Sequence, residues 1–274
     1  MSKIYSYISI VIGLLLFALT SCEKIIEIEL DRAKEMLVVD ALLSNLPKQS
    51  VVRLSKSTSL FSKESYKNVS GAVVSVFDQS GNSFKFIEVE QGIYKNNNFI
   101  GIEGTNYQLE INFEDINVKA TSKMPNTVPI DSIEVIVSQT GFMGNKETRY
   151  SLKVFFTDPA DETNYYRFDV YKNDSLYDGF VVSNDLFYNG ITTYQFFMNY
   201  NIKPSDSICV QLSCIDKANY SYFQVLSQGD SPFIIAPGNP VSNLKGNVIG
   251  YFGAYAQTRK SIIVPSSNLR PKFF

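Results

Sequence analysis

Ser207-Ile-Cys-Val-Gln-Leu-Ser-Cys-Ile215 decides the fold class, because a large apolar residue stands at every second position from Ile208 to Leu212. A two-residue period is typical of a half-buried β-strand. Similar runs recur from Leu37 onward and are separated by Asn, Gly, Ser, Asp and Pro, which favour turns. The sequence therefore predicts an all-β chain of sandwich type. The predicted strands are Met36–Leu43, Val51–Ser57, Ala72–Asp78, Ser83–Val89, Gly92–Asn96, Asn106–Phe113, Asn117–Ser122, Asp131–Gln139, Arg149–Asp158, Tyr165–Lys172, Tyr194–Tyr200, Ser207–Ile215 and Ser261–Val264.

The same stretch predicts that Cys209 and Cys214 do not form a disulfide bond. Residues five apart in a strand point to opposite faces, and at ~3.3 Å per residue their Cα atoms lie about 16 Å apart. A disulfide bond requires Cα atoms within ~7 Å of each other. Both cysteines are therefore predicted to be reduced, unless the strand ends before Ser213.

Two prolines in Met124-Pro-Asn-Thr-Val-Pro129 indicate a domain boundary, because proline cannot donate a hydrogen bond to a β-ladder. The chain is thus predicted to contain two tandem domains of immunoglobulin-like, sandwich type. The N-terminal β-sandwich domain covers 30–123 and the C-terminal one covers 130–265. A Pro-rich linker at 124–129 joins them.

One part of the second predicted domain breaks the strand pattern. Apolar residues over 217–228 have near-helical spacing, which predicts a short helix there. The stretch 231–253 is rich in Pro and Gly and is predicted to be a long ordered loop. Residues 266–274 are predicted to form a tail.

The amino-terminal residues carry the signals of an exported protein. Lys3 precedes an apolar run from Ile8 to Leu19, and this run is shorter than the ~20 residues that a membrane-spanning helix needs. Residues 1–21 are therefore predicted to be a secretory signal peptide. The last residues of this stretch, Leu19-Thr-Ser-Cys22, are similar to a bacterial lipobox, in which the cysteine is acylated and becomes the first residue of the mature chain.

Acylated Cys22 is predicted to attach the mature protein to a membrane without crossing it, because two acyl chains together anchor a protein stably. The alternative is an ordinary cysteine behind a conventional cleavage site. Residues 22–29 are acidic and alternating, and are predicted to be a lipidated tether or a first strand. Acidic residues after the acylated cysteine resemble the surface-export signal of Bacteroidota lipoproteins. The expected location is the outer membrane, on the cell surface rather than facing the periplasm.

The composition excludes several classes of function. The 274 residues include 25 Lys+Arg and 27 Asp+Glu, a net charge of -2, so no basic excess is available for the phosphate backbone and nucleic acid is not an expected partner. The chain has no His, which excludes His-based general bases, Ser-His triads and imidazole metal sites. No activated serine motif or carboxylate pair is singled out by its spacing. We therefore predict a protein that is not an enzyme, with no catalytic residue and no cofactor.

A cluster of carboxylates occurs in Thr157-Asp-Pro-Ala-Asp-Glu162, which follows a predicted strand. Calcium binds 6–8 oxygen ligands, and Asp-rich loops of secreted sandwiches supply them. A turn that begins at Asp158 fits the Asp-Pro step better and leaves Asp161 and Glu162 in solvent. No metal site is therefore assigned, and calcium near Asp158 stays the alternative.

Three blocks of the sequence resemble one family. The first block is Cys22-Glu-Lys24 with Val38-Val-Asp-Ala41, the second is Phe155–Phe168, and the third combines Pro232–Asn243 with Gly250–Ala256. Together they are similar to the lipoproteins of Bacteroidota grouped as domain of unknown function 4249, over nearly the whole mature chain. The resemblance implies a β-rich outer-membrane lipoprotein that is often encoded beside a TonB-dependent receptor. It implies no activity.

Aromatic residues are in surplus in the second predicted domain. One of two adjacent aromatic residues in a strand faces away from the core, so some of them are expected on a surface, where Tyr anchors protein interfaces or stacks on sugar rings. A partner contact is predicted at Tyr251, Phe252, Tyr255 and Phe233. Small residues between these aromatics predict a close approach of a neighbouring strand. The alternative is that the aromatics fill the second face of a sandwich or the interface between the domains.

Two functions from different classes follow from these observations. The first is a non-catalytic outer-membrane lipoprotein that is accessory to a TonB-dependent receptor in nutrient uptake. The alternative is a surface module that binds a carbohydrate or another small ligand independently of a receptor. Sugar sites usually favour Trp, which the chain lacks.

Overall fold

The computed structural model describes residues 35–58, 67–140, 147–198, 200–229 and 239–265. Within these ranges the chain forms sixteen strands and one helix. The predicted all-β fold of sandwich type is therefore confirmed, and so is the short helix.

Several predictions fall outside the described residues. They concern the signal peptide at 1–21, Cys22 with the segment 22–29, Phe233 and the tail at 266–274. They stay predictions from the sequence.

Each predicted strand has an observed counterpart that agrees to within a few residues, except the last, and the short strands Lys67–Asn68, Ser175–Leu176 and Val181–Asn184 were not predicted. The helix α1 covers Lys217–Gly229. The strands are β1 (Leu37–Ser44), β2 (Val51–Lys56), β3 (Lys67–Asn68), β4 (Val73–Asp78), β5 (Ser83–Glu90), β6 (Ile93–Lys95), β7 (Asn106–Phe113), β8 (Ile116–Lys123), β9 (Ile130–Thr140), β10 (Glu147–Thr157), β11 (Tyr165–Lys172), β12 (Ser175–Leu176), β13 (Val181–Asn184), β14 (Thr192–Phe197), β15 (Ser207–Ile215) and β16 (Val248–Ile263).

The strands form two sheets. The large sheet has 13 strands in the order β12-β11-β15-β16-β1-β2-β6-β5-β4-β7-β8, with β13 beside β11 and β3 beside β2. The small sheet has the order β14-β10-β9. Its inner face packs on β11, where the ring of Phe168 lies 5.5 Å from Phe156 and 5.9 Å from Phe197. Apolar faces of two sheets are thus buried against each other, which is the sandwich arrangement.

Strand β16 pairs with a strand from the start of the chain on one side and with a later strand on the other. Its first half, Val248–Tyr255, pairs in parallel with Leu37–Ser44 of β1. Its second half, Ala256–Ile263, pairs antiparallel with β15, from Cys214 back to Ser207. Hydrogen bonds to β16 therefore join the strands before residue 124 to β11, β12, β13 and β15 in one sheet.

Two glycines permit the close packing of β16. Gly250 has φ +114°, and a Cβ atom there would lie 1.9 Å from the carbonyl oxygen of Val39, its partner residue on β1. A Cβ atom at Gly253 would lie 2.1 Å from a ring carbon of Tyr255. Glycine is the residue that tolerates both the backbone conformation and the close approach. The predicted role of the small residues in this segment is therefore confirmed.

The structure corrects the predicted division into tandem domains at 124–129. The described residues from Glu35 onward form one compact unit. Met124 and Val128 of the predicted linker are buried in its core, and the backbone N–H of Met124 donates to the carbonyl of Thr105 at 2.9 Å. Local periodicity does not report which strands pair, so the contact of β1 with a strand more than 200 residues away was not predictable.

The predicted loop at 231–253 also differs from the structure, because β16 begins at Val248. Residues 252–257 are all buried. A strand that is covered on both faces loses the alternation of polar and apolar residues that identifies half-buried strands. The sequence pattern therefore reveals only the end of β16, where the strand Ser261–Val264 was predicted and where exposed residues alternate up to Ile263.

Helix α1 is fixed at its start by a side-chain cap and by a bond to β16. The carboxylate of Asp216 accepts a hydrogen bond from the backbone N–H of Asn219 at 2.8 Å, which satisfies a donor that the first turn leaves unpaired. The amide of Asn219 donates to the carbonyl of Phe252 at 3.0 Å and accepts from the hydroxyl of Tyr255 at 3.1 Å. The helix is thereby held against one face of β16.

Cys209 and Cys214 are free thiols, as predicted. Burial raises the pKa of Cys214 to about 12, so this thiol stays protonated at neutral pH. Across the described ranges, no helix combines the length and the apolar character that crossing a membrane requires.

Substitution of Gly250 tests the role of β16. We expect Gly250→Ala to lower the free energy of unfolding by about 2–5 kcal/mol, because the methyl group clashes with the Val39 carbonyl and the backbone conformation is strained. The matched control is Gly81→Ala, where φ is +86° and no atom lies within 4 Å, so only the backbone strain of ~1 kcal/mol applies. Urea unfolding followed by circular dichroism measures both. Equal effects of the two substitutions would contradict the close approach at β16.

Candidate functional site

A charged groove runs along the face of the large sheet beside α1. Along β16 the side chains of Tyr251, Tyr255 and Arg259 line it, whereas Phe252 and Ala254 point into the core on the other face. This follows from the alternation of side chains in a strand. The groove has a volume of about 390 Å³. We call it the charged groove; its other walls are Asp40, Leu42, Gln49, Val51, Arg53, Arg167, Asp169, Tyr171, Leu176, Gln211 and Gln257.

Arg167 forms the inner end of the charged groove. Its guanidinium carbon lies 4.4 Å from the ring centroids of both Phe180 and Phe223, so the cation is held between two aromatic faces. The guanidinium also binds Asp169 at 2.9 Å, and the two side chains are only 18% and 8% exposed. The two charges of this pair neutralise each other and are largely shielded from water. The pair therefore helps to fix the position of α1, and its charge is not available to a ligand.

Tyr251 and Tyr255 form the floor of the groove under α1. The ring of Tyr251 lies 4.8 Å from that of Phe223. Burial raises the pKa of both tyrosines well above the ordinary value, and the neighbouring carboxylate of Asp40 adds to the shift. Both hydroxyls are therefore neutral at physiological pH, and neither can serve as a charged ligand group.

Arg259 stands at the outer end of the groove and is positioned by neutral groups. Its Nε donates to the side-chain oxygen of Gln211 at 2.7 Å, and one Nη donates to Gln49 at 3.3 Å. The guanidinium also lies 5.4 Å from the ring centroid of Tyr171. Among the residues with described side chains, no carboxylate lies within ion-pair distance of Arg259. No carboxylate of the described residues therefore compensates its positive charge.

The other charged pair of the groove is exposed. Arg53 binds Asp40 at 3.4 Å, with side chains 53% and 38% exposed. Such a pair is screened by solvent and contributes little to stability. It is consequently free to rearrange around a bound molecule.

A second surface lies on the outer side of the small sheet. Side chains of β14 alternate, so that Phe197 is buried while Tyr194, Phe196 and the following Met198 are 49%, 37% and 60% exposed. The ammonium of Lys153 lies 4.5 Å from the ring centroid of Tyr194. We call this surface the outer aromatic face; together with Ile136, Ser138 and Ser151 these exposed side chains border a depression of about 370 Å³.

The loop that leads into β14 adds further exposed apolar side chains. Leu186 and Phe187 are 74% and 90% exposed, and Ile191 directly before β14 is 55% exposed. Tyr, Phe and Met are enriched in the cores of protein interfaces. The outer aromatic face and this loop therefore have the composition of a protein-docking surface.

The structure places the residues predicted for partner contact in different environments. Tyr251 and Tyr255 lie on the groove face, but Tyr255 is nearly fully buried beneath α1. Phe252 is fully buried in the core and is unavailable to a partner. Phe233 lies outside the described residues. Of the three described residues, only Tyr251 is thus accessible to a partner, and the contact at Phe233 stays a prediction.

The carboxylates of 157–162 are not brought together. Asp158 is 2% exposed, and its oxygens accept hydrogen bonds from the hydroxyl of Tyr166 and from the backbone N–H of Gly190. A turn follows Asp158, as predicted, but its side chain is a buried acceptor for groups that are distant in the sequence. Asp161 and Glu162 are exposed, as expected. No group of three potential metal ligands occurs within the described parts of the chain.

The sequence did not single out Arg167 or Arg259, which dominate the charge of the groove. A signal was present in Arg167-Phe-Asp-Val-Tyr171, where Arg, Asp and Tyr alternate with buried apolar residues. This alternation indicates a polar face on β11. It does not indicate that β16 brings Arg259 to the same face, since that depends on strand pairing.

Comparison with known proteins identifies the family of this chain. No curated protein matches the sequence. The family model described as domain of unknown function (DUF4249) matches residues 23–261. This range includes every described strand and the helix, except the last two residues of β16. The match covers most of the chain and agrees with the resemblance of the three sequence blocks. The chain therefore belongs to the DUF4249 family.

Proposed function

We propose that the protein is a non-catalytic outer-membrane lipoprotein that docks on a TonB-dependent receptor and assists nutrient uptake. The observation that carries this proposal is the outer aromatic face, where Tyr194 and Phe196 of β14 and the following Met198 are exposed to solvent. Isolated apolar side chains on a surface are ordinary, but a contiguous patch of them marks interaction sites. The absence of His supports a role in binding rather than catalysis.

The nature of the partner comes from the sequence. The lipobox-like Leu19-Thr-Ser-Cys22 supports an acyl anchor, which restricts the protein to a membrane surface. The family resemblance supports a TonB-dependent receptor as the neighbour on that surface. Restriction to one membrane raises the effective concentration of the two proteins, so a docking surface of modest area is sufficient.

Docking through the outer aromatic face is tested by crosslinking in native membranes, mild detergent extraction and mass spectrometry of the captured partner. We expect the wild type to capture a β-barrel receptor. The double variant Phe196→Ser with Met198→Ser should reduce capture at least tenfold, because truncation of central interface anchors costs ~2 kcal/mol or more.

The matched control for docking carries Ile87→Ser with Val89→Ser on β5. These side chains are 60% and 45% exposed but lie outside the outer aromatic face. This control should capture the receptor as the wild type does. Recovery of the wild type as a monomer alone would refute the docking function, and equal losses in both double variants would refute the assignment of the surface.

The anchor is tested separately by Cys22→Ala. We expect this variant to leave the membrane fraction or to accumulate as uncleaved precursor, because the acyl acceptor is lost. Cell fractionation and intact mass of the amino terminus measure this. Cys209→Ser, at a half-buried position far along the chain, should stay membrane-bound. Normal processing and membrane association of Cys22→Ala would contradict the anchor.

A further inference from the structure

The charged groove has an imbalance of charge that the docking function does not use. Arg53 is paired with Asp40, and Arg167 is paired with Asp169. Among the described residues, Arg259 has only neutral partners. The groove therefore carries one positive charge in excess, and this charge stands at its outer end.

The geometry points to a binding site for a small acidic sugar, whose single carboxylate pairs with Arg259. This inference is independent of receptor docking, because it concerns a different face of the molecule. The planar guanidinium matches the two oxygens of a carboxylate. Hydrogen bonds to Gln211 and Gln49 and the ring of Tyr171 hold the guanidinium in place before a ligand arrives. Such preorganisation reduces the entropic cost of binding.

The neighbours of Arg259 favour a ligand with hydroxyl groups. Arg259 binds the side-chain oxygens of Gln49 and Gln211. The amide nitrogens of these two side chains make no hydrogen bond to any described residue and are available as donors to a ligand. The hydroxyl of Tyr171 also has no hydrogen-bond partner among the described residues. Sugar hydroxyls donate and accept hydrogen bonds, and tyrosine rings supply faces on which a sugar ring stacks.

The size and the charge pattern of the groove limit the ligand further. Its volume of about 390 Å³ is at the small end of the ~300–1,000 Å³ range of ligand pockets, so a monosaccharide is more suitable than an oligomer. The carboxylates of Asp40 and Asp169 line the same groove and repel a second negative charge. Nucleotides and other polyanions are therefore disfavoured, and a monoanion is favoured.

The binding experiment uses the acylated full-length mature protein in detergent micelles. The probes are D-glucuronate, D-galacturonate and N-acetylneuraminate, each compared with D-glucose, D-galactose and sodium benzoate at equal ionic strength. Because a ligand of the folded state raises the melting temperature, we expect a concentration-dependent rise with at least one acidic sugar. The neutral sugars should produce no rise. Benzoate, which has the carboxylate without the hydroxyls, should bind at least tenfold more weakly.

Arg259→Gln should raise the dissociation constant of the responding sugar at least tenfold. Arg259→Lys, which keeps the charge and loses the planar fork, should give an intermediate value. The matched control is Arg149→Gln, because Arg149 is also an exposed arginine and lies on β10 away from the groove. Circular dichroism verifies that each variant is folded.

Three results would overturn the inference. The first is the absence of a melting shift with all three acidic sugars. The second is an unchanged dissociation constant in Arg259→Gln, which would place binding elsewhere on the molecule. The third is equal affinity for a control compound. Equal affinity for benzoate would show that the hydroxyl groups are not recognised, and equal affinity for the neutral sugars would show that the carboxylate is not recognised.

Discussion

The parallel pairing of β1 with the first half of β16 is the contact on which the rest of the structure depends. It requires the carbonyl of Val39 to approach Gly250 so closely that no Cβ atom fits. The second half of β16 continues into the ladder with β15. Strand β16 thus links the register of the first eight strands to that of β15 and β11, and a shift of β16 would displace both groups.

The same strand creates the two faces that we consider functional. Asp40 and Arg53 reach the charged groove from β1 and β2, whereas Arg167 reaches it from β11, and the two sides meet along β16. On β11 the alternate residue Phe168 points the other way and packs against the small sheet. The groove and the outer aromatic face therefore lie on opposite sides of the sandwich, so a small ligand and a protein partner could be bound at the same time.

Much of the fold follows from the sequence, because strands such as β7 alternate between buried and more exposed side chains. In β15 the apolar period from Ile208 to Leu212 also identified a strand, although residues 210–215 are all buried. The middle of β16 lacks such alternation, since residues 252–257 are all buried. The charged groove could be predicted from the sequence less well than the fold. Tyr251 and Tyr255 were identified as members of an aromatic segment, but the position of Arg259 beside Gln49 depends on pairing between distant strands. Local periodicity contains no information about that pairing.

From residue 35 onward, the described chain is expected to unfold as one cooperative body, because β16 is shared by both groups of strands. Hydrogen exchange, measured peptide by peptide in a urea series on the mature protein, tests this most directly. Peptides from β4 and β11 should approach the same free energy of opening and the same dependence on urea. Separate opening of one group, with lower free energy and a weaker urea dependence while the other stays protected, would contradict a body united by β16.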